Sequence, residues 1–159
     1  MVVTGEPAPL FSLLDHRGRT VSLADFAGKR LLVYFYPRAF TPGCTTEACD
    51  LRDRHQAFLQ AGWAIVGISP DSPERLARFR EKHSLPFPLL SDPDHRVAEA
   101  YGAWGASPGW AQGAAAWLVR SWPQAASIPR PRVSRSVTLA PARRACSTKA
   151  VTAARVGER

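Results

Sequence analysis

Apolar positions along this chain fall into short continuous runs separated by stretches of helical spacing. Leu31-Leu32-Val33-Tyr34-Phe35-Tyr36, ended by Pro37, and Ala64-Ile65-Val66-Gly67-Ile68 are uninterrupted, the pattern of strands buried on both faces. Between Pro42-Gly43 and Gly62, the residues Ala48, Leu51, His55, Phe58 and Leu59 recur near helical spacing. Ser72 is a natural N-cap and Pro73 suits a first helical position, so a second helix begins there and carries Leu76 and Phe79. Pro86 and Pro88 break it before a short strand at Leu89-Leu90. A last helix, capped by Asp92 or Asp94, runs through Val97, Ala98 and Tyr101 to Gly102. Upstream, Leu10 to Leu14 and Arg19 to Leu23 flank a turn at Asp15 to Gly18 and predict a hairpin, with a connecting turn from Asp25 to Lys29. Strands alternating with helices predict an α/β domain with parallel pairing, right-handed crossovers and helices on both sheet faces.

After Gly105 the pattern decays. Ala106 to Ala126 is rich in Ala, Gly and Trp without clear periodicity, and Ile128-Pro129-Arg130-Pro131-Arg132 does not suit a central strand or a helix interior. The chain divides into a folded domain at 1–125 and a basic, Pro/Arg/Ala-rich tail at 126–159. The tail is expected to be poorly packed, leaving the sheet without well-formed edge strands.

Charge follows the same division. Residues 1–105 hold 12 Lys/Arg and 12 Asp/Glu, so the whole net charge of +8 lies in the last 54 residues. A nucleic-acid-binding domain would spread its charge over a folded face, so the Arg-rich tail reads as a solvated segment instead. No apolar stretch is long enough to span a bilayer, and the N-terminus lacks a basic region leading into an apolar run. Cys44, Cys49 and Cys146 make no even-numbered disulfide framework, which suits a reducing cytoplasm and a cysteine pair with redox chemistry. His16, His55, His83 and His95 are scattered, without metal-ligand spacing, so no zinc site is expected; the resemblance set out below implies no metal or organic cofactor.

The candidate chemistry lies at the end of the first long strand. The loop Arg38-Ala39-Phe40-Thr41-Pro42-Gly43 delivers Cys44 to a helix start beyond the carboxyl end of that strand, where open α/β sheets bind ligands. A sulfur in the first helical turn faces unpaired N–H groups and the positive end of the helix dipole, both of which favour thiolate over thiol. Thr41 puts a hydroxyl three residues ahead of the sulfur, placed to hold a small oxygen-bearing substrate, and Pro42 shields the sulfur from water. A structural buried cysteine is the bland alternative. The second cysteine five residues on, with Thr-Pro-Gly in front of the first, favours redox chemistry.

Tyr34-Phe35-Tyr36-Pro37, Thr41-Pro42-Gly43-Cys44-Thr45, Glu47-Ala48-Cys49 and Leu51-Arg52-Asp53 resemble the active-site region of the peroxiredoxins, most closely the bacterioferritin comigratory protein or PrxQ branch. Gly67-Ile68-Ser69, Leu85-Pro86-Phe87, Leu89-Leu90-Ser91-Asp92 and Tyr101-Gly102-Ala103-Trp104-Gly105 extend the resemblance over about the first 105 residues. It implies a thioredoxin-like fold, a central mixed sheet flanked by helices, with an atypical C-terminal region. It also implies that Cys44 is the peroxidatic and Cys49 the resolving cysteine. The substrate is then a hydroperoxide and the reductant thioredoxin or a similar dithiol protein, acting on a monomer without nucleic acid or membrane partners. The family's active-site arginine corresponds best to Arg120, in Trp117-Leu118-Val119-Arg120-Ser121.

The family's closing strands and helix have no counterpart after Arg120, as follows from either a frameshift or divergence. The competing functions are a thioredoxin-type oxidoreductase, which normally carries Cys-x-x-Cys, and an inactive or basic non-enzymatic product with an altered tail. Spacing adds one more expectation. Five positions apart on a continuous helix, the Cα atoms of Cys44 and Cys49 stand roughly 8–9 Å apart. A disulfide needs about 7 Å or less, so the helix must open before the two sulfurs can join.

Overall fold

The structure, a computed structural model, describes residues 7–104 and, by backbone alone, 115–120 and 132–134. Three strands at its centre run parallel: β3 (Arg30–Phe35), β4 (Trp63–Ser69) and β5 (Leu89–Ser91). Between them come α1 (Pro42–Gln60) and α2 (Pro73–Lys82), with α3 (Arg96–Ala100) after β5. The predicted hairpin is β1 (Ser12–Asp15) and β2 (Thr20–Ser22), which joins the sheet through an antiparallel β1–β5 pairing. Buried Asp15 knits its turn, accepting from the amides of Arg17 and Arg19 and from the Arg19 guanidinium. A short 3-10 helix at Leu23–Phe26 occupies part of the predicted connecting turn.

The sheet is mixed, in the order β2-β1-β5-β4-β3-β6-β7. Here the expectation of missing edge strands is corrected. β6 (Ala115–Arg120) pairs antiparallel with β3, and β7 (Arg132–Ser134) pairs antiparallel with β6. β7 takes up the residues just after Pro131, on the rim of the sheet, where a neighbouring proline is tolerated. The rest of the 126–159 region, with Cys146, lies outside the described residues, as does the expected packing of that tail.

β3 is buried from Leu31 to Phe35, and its side chains divide between two cores. Leu31, Val33 and Phe35 join Phe11, Val66, Ile68, Leu90, Val97 and Tyr101 on the hairpin and α3 side. Leu32 and Tyr34 join Ile65, Leu76, Phe79, Phe87 and Leu89 on the side of α1 and α2, and Cys44 belongs to this second core. Gly67 pairs with Tyr34 across β3 and β4. A Cβ on Gly67 would come within 2.8 Å of both the Tyr34 ring and Leu89, so glycine is what lets the ring lie flat on the sheet.

The last helix departs from expectation in its cap. The N-cap position belongs to His95, in the left-handed region at φ 58°, rather than to Asp92 or Asp94. The capping chemistry is nonetheless that of Asp92, whose buried carboxylate accepts from the amides of Val97 and Ala98.

Candidate active site

Cys44 is the third residue of α1, just beyond the carboxyl end of β3, and its thiol is free. Only 6% of its surface is exposed. Thr41 is the N-cap of α1, but its hydroxyl does not cap the helix; it donates to the Arg38 carbonyl at 3.1 Å. Pro42 brings no N–H, and the first-turn amides of Gly43 and Cys44 have no intrahelical acceptor, so they face whatever binds beside the sulfur. Thr41, Pro42 and Cys44 thus lie together at the start of α1, with the Thr41 hydroxyl turned to the Arg38 carbonyl.

Behind Cys44 stand Tyr34 and Tyr36, fully buried and stacked with ring centroids 5.3 Å apart. The Tyr34 hydroxyl has no hydrogen-bond partner among the described residues, and the Tyr36 hydroxyl lies beside the Ser69 side chain. Burial, followed by the neighbouring acidic groups and the Cys44 sulfur, pushes both phenols far above their ordinary range, so both stay protonated and keep an O–H to donate. Glu47, one turn on from Cys44, is raised to about 7 by burial and then by the charge of Asp50.

The loop ahead of Cys44 is tied to the start of α2. The Ala39 amide donates to Asp71 Oδ2 at 2.6 Å, and the Ala39 carbonyl accepts from Arg75 Nη2 at 2.9 Å. Phe40 sits in the left-handed region at φ 70°, which costs a residue with a Cβ about 1–3 kcal/mol. It is held there by α2: Phe79 packs edge-on at 5.1 Å, and the Arg75 and Lys82 cations lie over its ring at 5.3 and 5.6 Å. Sequence reasoning missed Asp71 and Arg75, because the 32 and 36 residues separating them from Ala39 leave no local signal.

Cys49 lies on the same helix, 4% exposed, with its Sγ 4.0 Å from His83 Nδ1 at the far end of α2. It is disulfide-bonded in this structure, and since Cys44 is free the partner is not Cys44. The two cysteines share a helix that is continuous from Pro42 to Gln60, in the arrangement whose spacing keeps their sulfurs apart.

The backbone of Arg120 lies away from the Cys44 end of the sheet. In the β3–β6 register Ala115 pairs with Phe35, beside the Cys44 loop, while Val119 pairs with Leu31 at the other end of β3. The backbone of Arg120 therefore stands about 16 Å along the strand from the end that faces Cys44. Among the described residues no group of three or more His, Cys, Asp or Glu could hold a metal ion, and no helix is long and apolar enough to cross a membrane.

Comparison with known proteins agrees with this arrangement. Residues 4–122 match the AhpC/TSA family. Peroxiredoxin Bcp of Escherichia coli K12 is 56% identical over 101 residues, 64% of this chain and 65% of that protein. A putative peroxiredoxin of Mycobacterium tuberculosis H37Rv is 58% identical over 101 residues, 64% of each chain. The chain thus spans just under two thirds of the length of these relatives. Among solved structures, Peroxidoxin BcpB of M. tuberculosis superposes with a TM-score of 0.66 at 32% identity, covering 75% of this chain and 78% of that one. Peroxiredoxin Q of Xanthomonas campestris does so with a TM-score of 0.65 at 30% identity, covering 77% and 76%. With a thioredoxin-like mixed sheet, a cysteine in the first turn after β3 and these likenesses, the chain belongs to the AhpC/TSA family, beside the peroxiredoxins of the Bcp and PrxQ type.

Proposed function

We propose that the chain is a thiol peroxidase that reduces hydrogen peroxide and organic hydroperoxides, with Cys44 as nucleophile and Cys49 as resolving thiol. One observation carries the reading: a free, nearly buried thiol sits at the N-terminal turn of α1, with Thr41 and Pro42 ahead of it. The Cys44 thiolate attacks one oxygen of the peroxide, the O–O bond breaks, and an alkoxide or hydroxide leaves to take up a proton. The Cys44 sulfur is left as sulfenic acid. First-turn amides and the Tyr34 and Tyr36 hydroxyls are the donors at hand for the negative charge that builds on the departing oxygen. The reduced Cys49 thiol then condenses with the sulfenic acid, releasing water, and a dithiol protein of the thioredoxin class restores both thiols by exchange. The setting that suits this cycle is the reducing cytoplasm, with the chain acting as a monomer. A Xanthomonas campestris relative of this fold has been described for alkyl peroxide reduction, which supports including organic hydroperoxides here.

The test is peroxide consumption coupled to a thioredoxin and thioredoxin reductase system, with the protein reduced beforehand. Cys44→Ser is expected to abolish turnover. Cys49→Ser is expected to consume about one equivalent of peroxide and then stop. Full steady-state activity in Cys44→Ser would overturn the reading.

A further inference from the structure

We propose that the exposed rim beside Cys44, built from Phe40, Arg38 and Lys82, is the docking surface for an acidic dithiol protein that reduces the oxidised chain; this rests on the thiol peroxidase reading. Phe40 stands four residues ahead of Cys44 and is 36% exposed, one of four large apolar side chains open to solvent among the described residues. Its backbone lies at φ 70°, a conformation that glycine would take without strain. Part of the ring packs on Phe79 and the rest faces outward. A strained residue that also shows an aromatic ring to water is the kind of position that function retains.

Cations frame that ring. The Arg75 guanidinium and the Lys82 ammonium lie over it at 5.3 and 5.6 Å, and Arg38 is exposed two residues earlier in the loop. From Pro37 to Thr46 the chain has no Asp or Glu. The acids nearby are engaged or turned aside. Asp71 is paired with Arg75, and its carboxylate also holds the Ala39 amide. Glu74 and Glu81 each precede a cation of α2 by one position, which sets them about 100° round the helix from Arg75 and Lys82. Glu47 titrates at about 7, so a good part of its charge is absent at neutral pH. The rim is therefore positive around an apolar centre, and its aromatic and Arg composition is that of protein interfaces. Its complement is a partner with carboxylates set around an apolar patch.

What the rim encloses decides the occupant. A nucleic acid strand brings nothing that reacts with a sulfur, whereas oxidised Cys44 needs a reducing thiol delivered at this spot. The rim is also held independently of α1. Phe40 rests on Phe79, and Ala39 is tied to Asp71 and Arg75, all on α2 or the loop that leads into it. It therefore stays in place when the first turns of α1 open. Once docked, a partner thiolate attacks one sulfur of the Cys44–Cys49 disulfide; that S–S bond breaks, a mixed disulfide forms and the released thiolate takes a proton. The partner's second thiolate then breaks the mixed disulfide. Two electrons pass to the chain, both its thiols are restored and the partner leaves as a disulfide.

To test this, the pre-reduced full chain is oxidised with one equivalent of hydrogen peroxide, and its reduction is followed with an acidic thioredoxin and, separately, with dithiothreitol. The measure is the ratio of the thioredoxin rate to the dithiothreitol rate, which cancels any change in the disulfide itself. Arg38→Glu combined with Lys82→Glu should lower that ratio at least about ten-fold at low salt. In native protein the ratio should fall as ionic strength rises from about 0.02 to 0.5 M. Lys82→Arg should keep the native ratio. Phe40→Gly, which takes the same backbone turn without a ring, should lower it at every salt concentration. A native ratio in the charge-reversed protein or in Phe40→Gly would overturn the inference and leave the peroxide reading standing. So would oxidised native protein that dithiothreitol reduces and thioredoxin does not. Salt-sensitive binding of a single-stranded oligonucleotide that charge reversal abolishes, with the ratio unchanged, would assign the rim to nucleic acid instead. Cys44 left unoxidised by peroxide would overturn the thiol peroxidase reading and this inference with it.

Discussion

Asp71 and Arg75 form a 3.0 Å ion pair whose two partners hold opposite sides of one residue, Ala39. Neither side chain belongs to the loop or helix that carries Cys44. Together they fix the peptide path that enters that helix, and Ser69 adds a hydroxyl hydrogen bond to Asp71 at 2.8 Å.

Replacing Arg75 with Met should therefore slow the reaction of Cys44 with peroxide while leaving the fold intact. A hydrogen bond to a charged group is worth about 1.5–3 kcal/mol, and partial exposure of Arg75 brings this toward the lower end. The expected loss is about ten-fold in the second-order rate of Cys44 oxidation, followed by intrinsic fluorescence in rapid mixing. A rate within about two-fold of native would mean that the loop is held elsewhere.

Glu47 predicts a pH dependence of stability. Its carboxyl titrates near 7 in the folded chain, well above its usual value of 4.5, because burial and then Asp50 disfavour the anion. Over that window the unfolded chain has lost the proton and the folded chain retains it, so unfolding free energy falls as pH rises from about 4.5 through 7. Urea titrations at several pH values should show this decline in native protein and a flatter curve in Glu47→Gln, with the variant the more stable at pH 8. Parallel curves would place the titration elsewhere.

The continuous α1 predicts a change of shape on oxidation. With Cys44 and Cys49 on one helix, their bond can form only if the first turns unwind, and Thr45 and Thr46 are weak helix formers. Hydrogen exchange over residues 44–55 should quicken in the Cys44–Cys49 disulfide form relative to the dithiol. Equal protection in the two forms, with that bond confirmed by mass, would count against the opening.

Much of this was legible in the chain. The uninterrupted run at Leu31 to Tyr36, the Ser72-Pro73 start of α2 and the Thr-Pro-Gly-Cys entry to α1 are local signals, and local physics decides them. What escaped was held together over distance. Asp71, Arg75 and His83 reach the site only because α2 packs beside α1, and His83 among four scattered histidines carried no sign of its neighbour. The α3 cap was misplaced because Asp92 serves from outside the cap position. Where the Arg120 backbone lies along β3 was not legible either, because the register of β6 against β3 is set by tertiary pairing, which a short apolar-Arg segment does not encode.

From that pairing Arg120→Ala should keep peroxide turnover within about two-fold of native, the usual range for a change remote from the chemistry. Steady-state assays over a range of peroxide concentrations check it. A ten-fold fall in kcat/KM would return Arg120 to the active site.

β6 also has a protective role, through the strand it covers. β3 is buried from Leu31 to Phe35, and its flank away from β4 is closed by the ladder from Leu31–Val119 to Phe35–Ala115. Stripped of that cover, β3 would offer another molecule a row of open backbone donors and acceptors set between two greasy faces, a template for intermolecular sheet growth. The unusual C-terminal region, whatever its origin, thus has a bearing on solubility. A chain ending before Ala115 should go to inclusion bodies while still carrying every residue assigned here to the peroxide chemistry.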